Sequence, residues 1–163
     1  MISFLGNAFA GHSVPWLDVV GLFLFIAGFV IGLGALTVID LHGLFGRNSA
    51  YWTEATVRTH KITKPLIWLG VILATIGGVI TYRDTGLTGT ATLHLILLFI
   101  LVPNGMFLSF VVSPHLLKQE REGRAGELLS PKWQHRVTIS FIISATGWWS
   151  ALFLLVWHIL VQR

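Results

Sequence analysis

Cysteine is absent from all 163 residues. That removes disulfides, thiolate zinc sites, iron-sulfur clusters held by this chain alone, covalent c-type haem and cysteine nucleophiles. Charge is scarce as well: 11% of residues are charged against 54% hydrophobic, and the mean hydropathy is +0.76. Such a balance excludes a soluble domain of this size and identifies a single-domain integral membrane protein. No nucleotide-binding glycine loop, zinc-protease motif or Ser-His-Asp arrangement occurs. The formal charge of +4 is sorted by membrane side rather than along one face, so the partner it implies is a lipid bilayer and not nucleic acid. Residues 1–14 lack Lys and Arg, so they do not form the positive start of a signal peptide and the first apolar segment reads as a retained helix. Phe4, Leu5 and Phe9 suit that segment to a surface amphipathic piece or a frayed terminus.

What is present is four apolar stretches of the roughly 20 residues that cross ~30 Å of hydrocarbon. They cover about 16–41, 65–82, 92–117 and 137–161. Pro15 and Pro65 sit where a proline opens a helix, and the run Arg83-Asp84-Thr85-Gly86 closes the second stretch as a turn. Nine of the eleven Lys and Arg flank the first and third connections: Arg47, Arg58, Lys61, Lys64, Lys118, Arg121, Arg124, Lys132 and Arg136. Only Arg83 and Arg163 lie on the other side. The positive-inside rule then predicts a bacterial inner (cytoplasmic) membrane protein with both long connections in the cytoplasm and both termini on the outer side. Trp16, Tyr82 and Trp157 fit an outer aromatic belt and Trp133 an inner one. The predicted fold is all-α, a transmembrane four-helix up-down-up-down bundle.

Small residues line up on three of these helices: Gly21, Gly28, Gly32 and Ala35 on the first, Gly70, Ala74, Gly77 and Gly78 on the second, and Ser140, Ser144, Gly147 and Ala151 on the fourth. They let helices, or a flat cofactor, approach closely, and ordinary helix packing accounts for most of them.

Six of the seven histidines lie at or just inside the ends of the apolar stretches, in two layers. A polar ring in hydrocarbon needs a partner, and imidazole is the common ligand of haem iron and first-row metals. His94 and His158, near the outer ends of neighbouring antiparallel spans and beside small residues, are expected at one depth, as two axial ligands of one iron must be. In the inner layer His42 continues the Gly21-Gly28-Ala35 face and His60 shares a face with Ile67, Val71, Ala74 and Gly78. Those two and His115 are candidates for a second haem or a metal site, with hydrogen bonding to loop carbonyls as the plain alternative. His135 points to lipid or the interface, and His12 to solvent. Asn104, within Pro103-Asn104-Gly105, shares the bilayer middle with Trp148 and Trp149; the proline kink, the amide and the two indoles are expected either to line a pocket for a quinone or porphyrin edge or to mark a simple kink. Asp40 has Arg58 and Lys61 within reach across the first connection, as an interfacial ion pair, an anchor for a propionate-binding arginine, or a proton carrier.

The segments Thr37-Val38-Ile39-Asp40-Leu41-His42 and Arg58-Thr59-His60-Lys61-Ile62-Thr63-Lys64-Pro65, each tied to a Gly-rich helix and followed by a His-bearing third helix, resemble the bacterial superfamily of HemJ-type protoporphyrinogen oxidases and CopD-like copper-resistance membrane proteins. The likeness spans roughly 14–118. It implies a small helical bundle and, for the HemJ type, b-type haem. HemJ-type proteins carry an arginine and a histidine near the end of the first helix where this chain has Asp40 and His42, so only His42 is carried over and that oxidase activity is not implied. The sequence thus leads to a membrane protein with one or two haem b groups held by paired histidines, acting in electron transfer or a haem-dependent redox reaction with a quinone or partner subunit, and assembling with a redox partner subunit or as a homo-oligomer. The alternatives are handling of copper or another divalent metal through the inner histidines and Asp40, and a cofactor-free structural or assembly subunit of a larger membrane complex.

Overall fold

The computed structural model describes residues 15–46, 48–87 and 89–161, and these are all helix and connecting turns. Helix α1 is Trp16–Gly46, α2 is Ala50–Thr81, α3 is Thr90–Arg121 and α4 is Pro131–Val161. All four are long and apolar enough to cross a membrane. Each runs past the predicted apolar limits. Pro131, not residue 137, opens α4, and Pro65 lies inside α2 instead of at its start. The segment before Pro65 is helical because Thr53, Val57 and Thr63 are buried there. That packing outweighs the loss of one ladder hydrogen bond at a proline facing outward. Residues 1–14, with His12, and Arg47 and Arg163 lie outside the described residues.

α1 is the most enclosed helix and α3 the least, with 44% and 11% of their most apolar windows buried. The reason is the pairing of α1 with α2, by far the most extensive contact in the bundle. A Cβ on Gly28 would strike the backbone of Ala74, one on Gly70 the backbone of Gly32, and one on Gly77 the backbone of Phe25. Backbones that close gain dispersion contacts, which is the main attraction left to helices surrounded by lipid. These glycines therefore serve helix packing. Their contacts run in opposite sequence order along the two helices, from Gly21 with Ile80 to Gly46 with Thr53.

α3 packs on α4 by a different device. Leu101 enters the notch at Gly147, and Asn104 reaches across: its amide donates to the Ser140 carbonyl (3.1 Å) and the Ser144 hydroxyl (2.8 Å), while its carbonyl accepts from the Ser140 hydroxyl (2.7 Å). The two pairs join through α1 and α4, where Phe25, Phe29, Leu33, Leu36, Trp148, Ala151 and Leu155 form the main core and the Trp148 ring fills the space above Gly32. A smaller cluster of Val57, Val112 and Leu116 closes the end of the bundle that carries most of the basic residues. Lys61 pairs with Glu120 (2.9 Å) there, and Asp18 with Arg83 (2.8 Å) at the opposite end. The turn after α3 is a glycine cap: Gly123 has φ +72° and the Arg124 amide returns to the Gln119 carbonyl at 2.8 Å. Arg124 also clasps Glu122 and Glu127, and the first of these bonds holds the Glu122 carboxyl below its usual range.

Gly70→Leu is expected to destabilise the protein by about 1–3 kcal/mol or more through overpacking. Gly34→Ala, where nothing lies within 4 Å of the new Cβ, should leave stability unchanged or raise it by up to about 1 kcal/mol. Unfolding in detergent measures both, and equal losses would contradict the glycine contact.

Candidate functional site

Proline chemistry builds the most unusual local feature. In α3 the ladder slips to a wider turn over Leu108–Val112, with the Ser113 amide bonded to the Leu108 carbonyl five residues back. In that register the next amide, on residue 114, would serve the Ser109 carbonyl, but residue 114 is proline and has none. The Ser109 carbonyl takes Lys64 Nζ instead, at 3.1 Å, and the Ser109 hydroxyl accepts the Trp68 indole N–H at 3.0 Å. A lysine and a tryptophan of α2 are thereby drawn inward to α3. Lys64 also lies 5.6 Å from the centre of the Phe110 ring.

These groups border a cavity of about 360 Å³ among the four helices. Its polar part carries Asp40, Thr53, Thr56, His60, Lys64 and Gln134; its apolar part runs through Ile67, Val71, Leu101 and Leu108 to Trp148. His60 Nε2 is buried with no hydrogen-bond partner. Asp40, expected to pair with Arg58 or Lys61, does not: Arg58 bonds Glu54 one turn earlier and Lys61 bonds Glu120, while Asp40 faces the cavity. The helix geometry explains the difference. Ala50–Lys64 is helical and turns Arg58 and Lys61 outward, so Lys64, one turn after His60, is the cation that borders the cavity.

The other inner histidines go elsewhere. His42 packs on Trp52 between α1 and α2 (ring centroids 5.4 Å), its Nδ1 also buried and unpartnered. His115 stacks on Trp133 at 4.1 Å and 12°, with Arg136 over the same indole at 5.4 Å. His135 is exposed, as is Trp149. His42, His60 and His115 thus have three separate settings, and among the described residues no three His, Asp or Glu side chains come close enough to hold a metal ion.

His94 and His158 do share a layer. The Thr90 hydroxyl meets His158 Nδ1 at 3.2 Å and the Thr90 carbonyl meets His94 Nδ1 at 3.0 Å. Both rings already have hydrogen-bonding partners. Tyr82 stands against both, 5.5 Å from His94 and 4.6 Å from His158, with its hydroxyl 3.1 Å from His94 Nδ1. His94 Nε2 lies 2.9 Å from the Ala151 carbonyl. With N–H on Nε2, His94 donates to Ala151 and accepts from Tyr82, which satisfies a neutral ring and ties α2, α3 and α4 together. An iron between His94 and His158 does not fit this arrangement. His60, with its unengaged nitrogen beside an apolar chamber, does fit as an axial ligand. Tyr82, Lys64 and Trp68 are the neighbours of the candidate residues that sequence reasoning passed over; the proline at 114 was the readable signal for the last two.

No protein family model, curated protein or solved structure matches this chain.

Asn104 and Trp148 are placed by packing: the first clamps α3 to α4, and the second is buried against Gly32 and edge-on to Phe29 at 5.9 Å. Asn104→Ala should cost about 1–2 kcal/mol, the range for hydrogen bonds between membrane helices. Trp149→Leu, on an exposed position, should change stability by less than about 0.5 kcal/mol. Thermal unfolding in detergent compares them.

Proposed function

We propose that this chain is a bacterial inner-membrane protein with an up-down-up-down topology, its basic end in the cytoplasm and both termini outside. We propose further that it holds b-type haem in the Asp40–His60–Lys64 chamber for electron transfer or a haem-dependent redox reaction. The side preference of nine of eleven Lys and Arg supports the orientation. The opposed contact order of α1 with α2 and the end-to-end ion pairs support the topology. One observation carries the haem reading: the buried, unpartnered His60 Nε2 bordering a largely apolar cavity. The likeness to the HemJ and CopD-like superfamily points the same way.

Each residue of the chamber has a definite task in this reading. His60 supplies the axial nitrogen. Lys64, held by the Ser109 carbonyl, can turn to a propionate without leaving a second cation exposed to lipid. Among the described residues Asp40 makes no ion pair, and it is placed to take or release a proton at the chamber wall. Ile67, Val71, Leu101 and Leu108 exclude water. Haem supplies a one-electron redox couple when bound. A single haem site follows, rather than the bis-histidine pair of His94 and His158, and the Tyr82–His94–Thr90–His158 network is structural in its own right. Among the described residues that line the chamber, Asp40 and His60 are the only carboxylate and imidazole, which argues against the metal-handling alternative.

Purified protein is expected to show a reducible Soret and α band that His60→Ala abolishes and that His94→Ala and His115→Ala retain; a colourless preparation would refute the haem reading. The topology is tested separately, because a chain without cysteine accepts single-cysteine probes. With a membrane-impermeant maleimide on intact cells, Thr85→Cys should label and Gly126→Cys should label only after permeabilisation. The reverse pattern would invert the orientation.

A further inference from the structure

The glutamates of the chain are Glu54, Glu120, Glu122 and Glu127, all at the basic end of the bundle. Each is already engaged, Glu54 by Arg58, Glu120 by Lys61, and Glu122 and Glu127 by Arg124. Asp40 faces the chamber, and Asp18 and Asp84 pair with Arg83 at the opposite end. The protein's own carboxylates are thus used up. Among the described residues Arg121, Lys132 and Arg136 make no ion pair and no hydrogen bond through their side chains. Arg121 lies roughly 9 Å beyond His115 along α3, away from the apolar spans. Lys132 and Arg136 are the two that stand next to them.

The surroundings of these two cations point to one kind of ligand. α3 and α4 meet here through Trp133, whose indole stacks on His115 at 4.1 Å and carries the Arg136 guanidinium 5.4 Å from its centre. Trp133 packs in turn against the cluster of Val57, Val112 and Leu116. Arg136 is thereby held on an anchored ring, and a ring contact leaves its five N–H donors free. Lys132 lies one turn earlier on the same face of α4. Just past Arg136 the helix turns apolar, and Ile139 and Ile142 are exposed on the same half of it. A phosphate at the level of the cations, with hydrocarbon chains lying along these isoleucines, matches both features. An acidic protein segment matches the cations and has nothing for the apolar stripe.

We propose that the α3–α4 junction at the basic end is a binding site for an anionic phospholipid, its phosphate held by Lys132 and Arg136 and its chains against Ile139 and Ile142. Net charge selects the lipid: a headgroup of net negative charge neutralises the two unpaired cations, whereas a zwitterionic headgroup brings a cation of its own. Arg136 offers a fork of donors to the phosphate oxygens and Lys132 a point charge. The bound lipid completes the charge balance of this end. The two cations take no part in the His60 chamber, so the site stands whether or not haem is bound.

Native mass spectrometry of the full chain in detergent, titrated with phosphatidylglycerol and with phosphatidylcholine of the same acyl chains, provides the test. Phosphatidylglycerol is expected to bind saturably and the more tightly of the two. Lys132→Gln and Arg136→Gln should each weaken it about fivefold, the effect of one basic residue at a membrane surface. Both positions are exposed, so neither substitution opens the core. Arg58→Gln removes the same charge from α2, where Glu54 already pairs it, and should leave binding unchanged. Equal affinity for the two lipids overturns the proposal. So does a loss in Arg58→Gln as large as that in Arg136→Gln, which would show a diffuse charge effect. Displacement of the lipid by inorganic phosphate overturns it in favour of a free anion, and displacement by polyglutamate in favour of an acidic protein partner.

Discussion

Helices in hydrocarbon gain nothing by hiding leucine from lipid, so whatever holds them together must come from close backbones or shared hydrogen bonds. This chain uses one device per pair. Glycine brings α1 and α2 together, and the Asn104 amide with Ser140 and Ser144 joins α3 to α4. The two pairs then meet along the α1–α4 core with Trp148 resting on Gly32. Nothing equivalent joins α2 to the start of α3, and the interior space of the protein follows from that asymmetry.

Backbone groups left without partners shape the rest. Pro114 removes an amide, the ladder of α3 shifts, and the Ser109 carbonyl recruits Lys64. A cation at that depth needs such an acceptor, because an unsatisfied charge beside hydrocarbon costs several kcal/mol. The chamber therefore owes its lysine to a missing N–H on another helix. On the opposite side of Trp148, His94 is satisfied at both ring nitrogens, Nδ1 by Tyr82 and Nε2 by Ala151. The two histidine layers are consequently unlike: one closes the bundle, and the other leaves His42 and His60 each with a buried, unpartnered nitrogen.

Four apolar spans were legible because hydrophobic length is a one-dimensional property, and burial of the small-residue stripe of α1 was legible because it follows from helical periodicity. His94 and His158 were correctly placed in one layer by counting rise per residue along opposed helices. The Tyr82 ring that touches both was not, since it arrives at the end of α2, where no periodicity specifies its path. Asp40 shows the same gap. Its distance in sequence from Arg58 and Lys61 suggested a pair, but Ala50–Thr81 is helical through Pro65 and both cations turn to nearer carboxylates.

Composition, hydropathy and periodicity determined by themselves that this is a membrane-spanning helical protein without thiol chemistry, and which faces of its helices are small. Those properties are local, each read within a few turns of one helix. Only the tertiary structure decided that His60, Asp40 and Lys64 border one chamber, that His42 and His115 do not, and that among the described residues Lys132 and Arg136 find no carboxylate. The direction of a side chain among four helices depends on which neighbour each helix selects, and that selection is made by contacts between residues far apart in sequence.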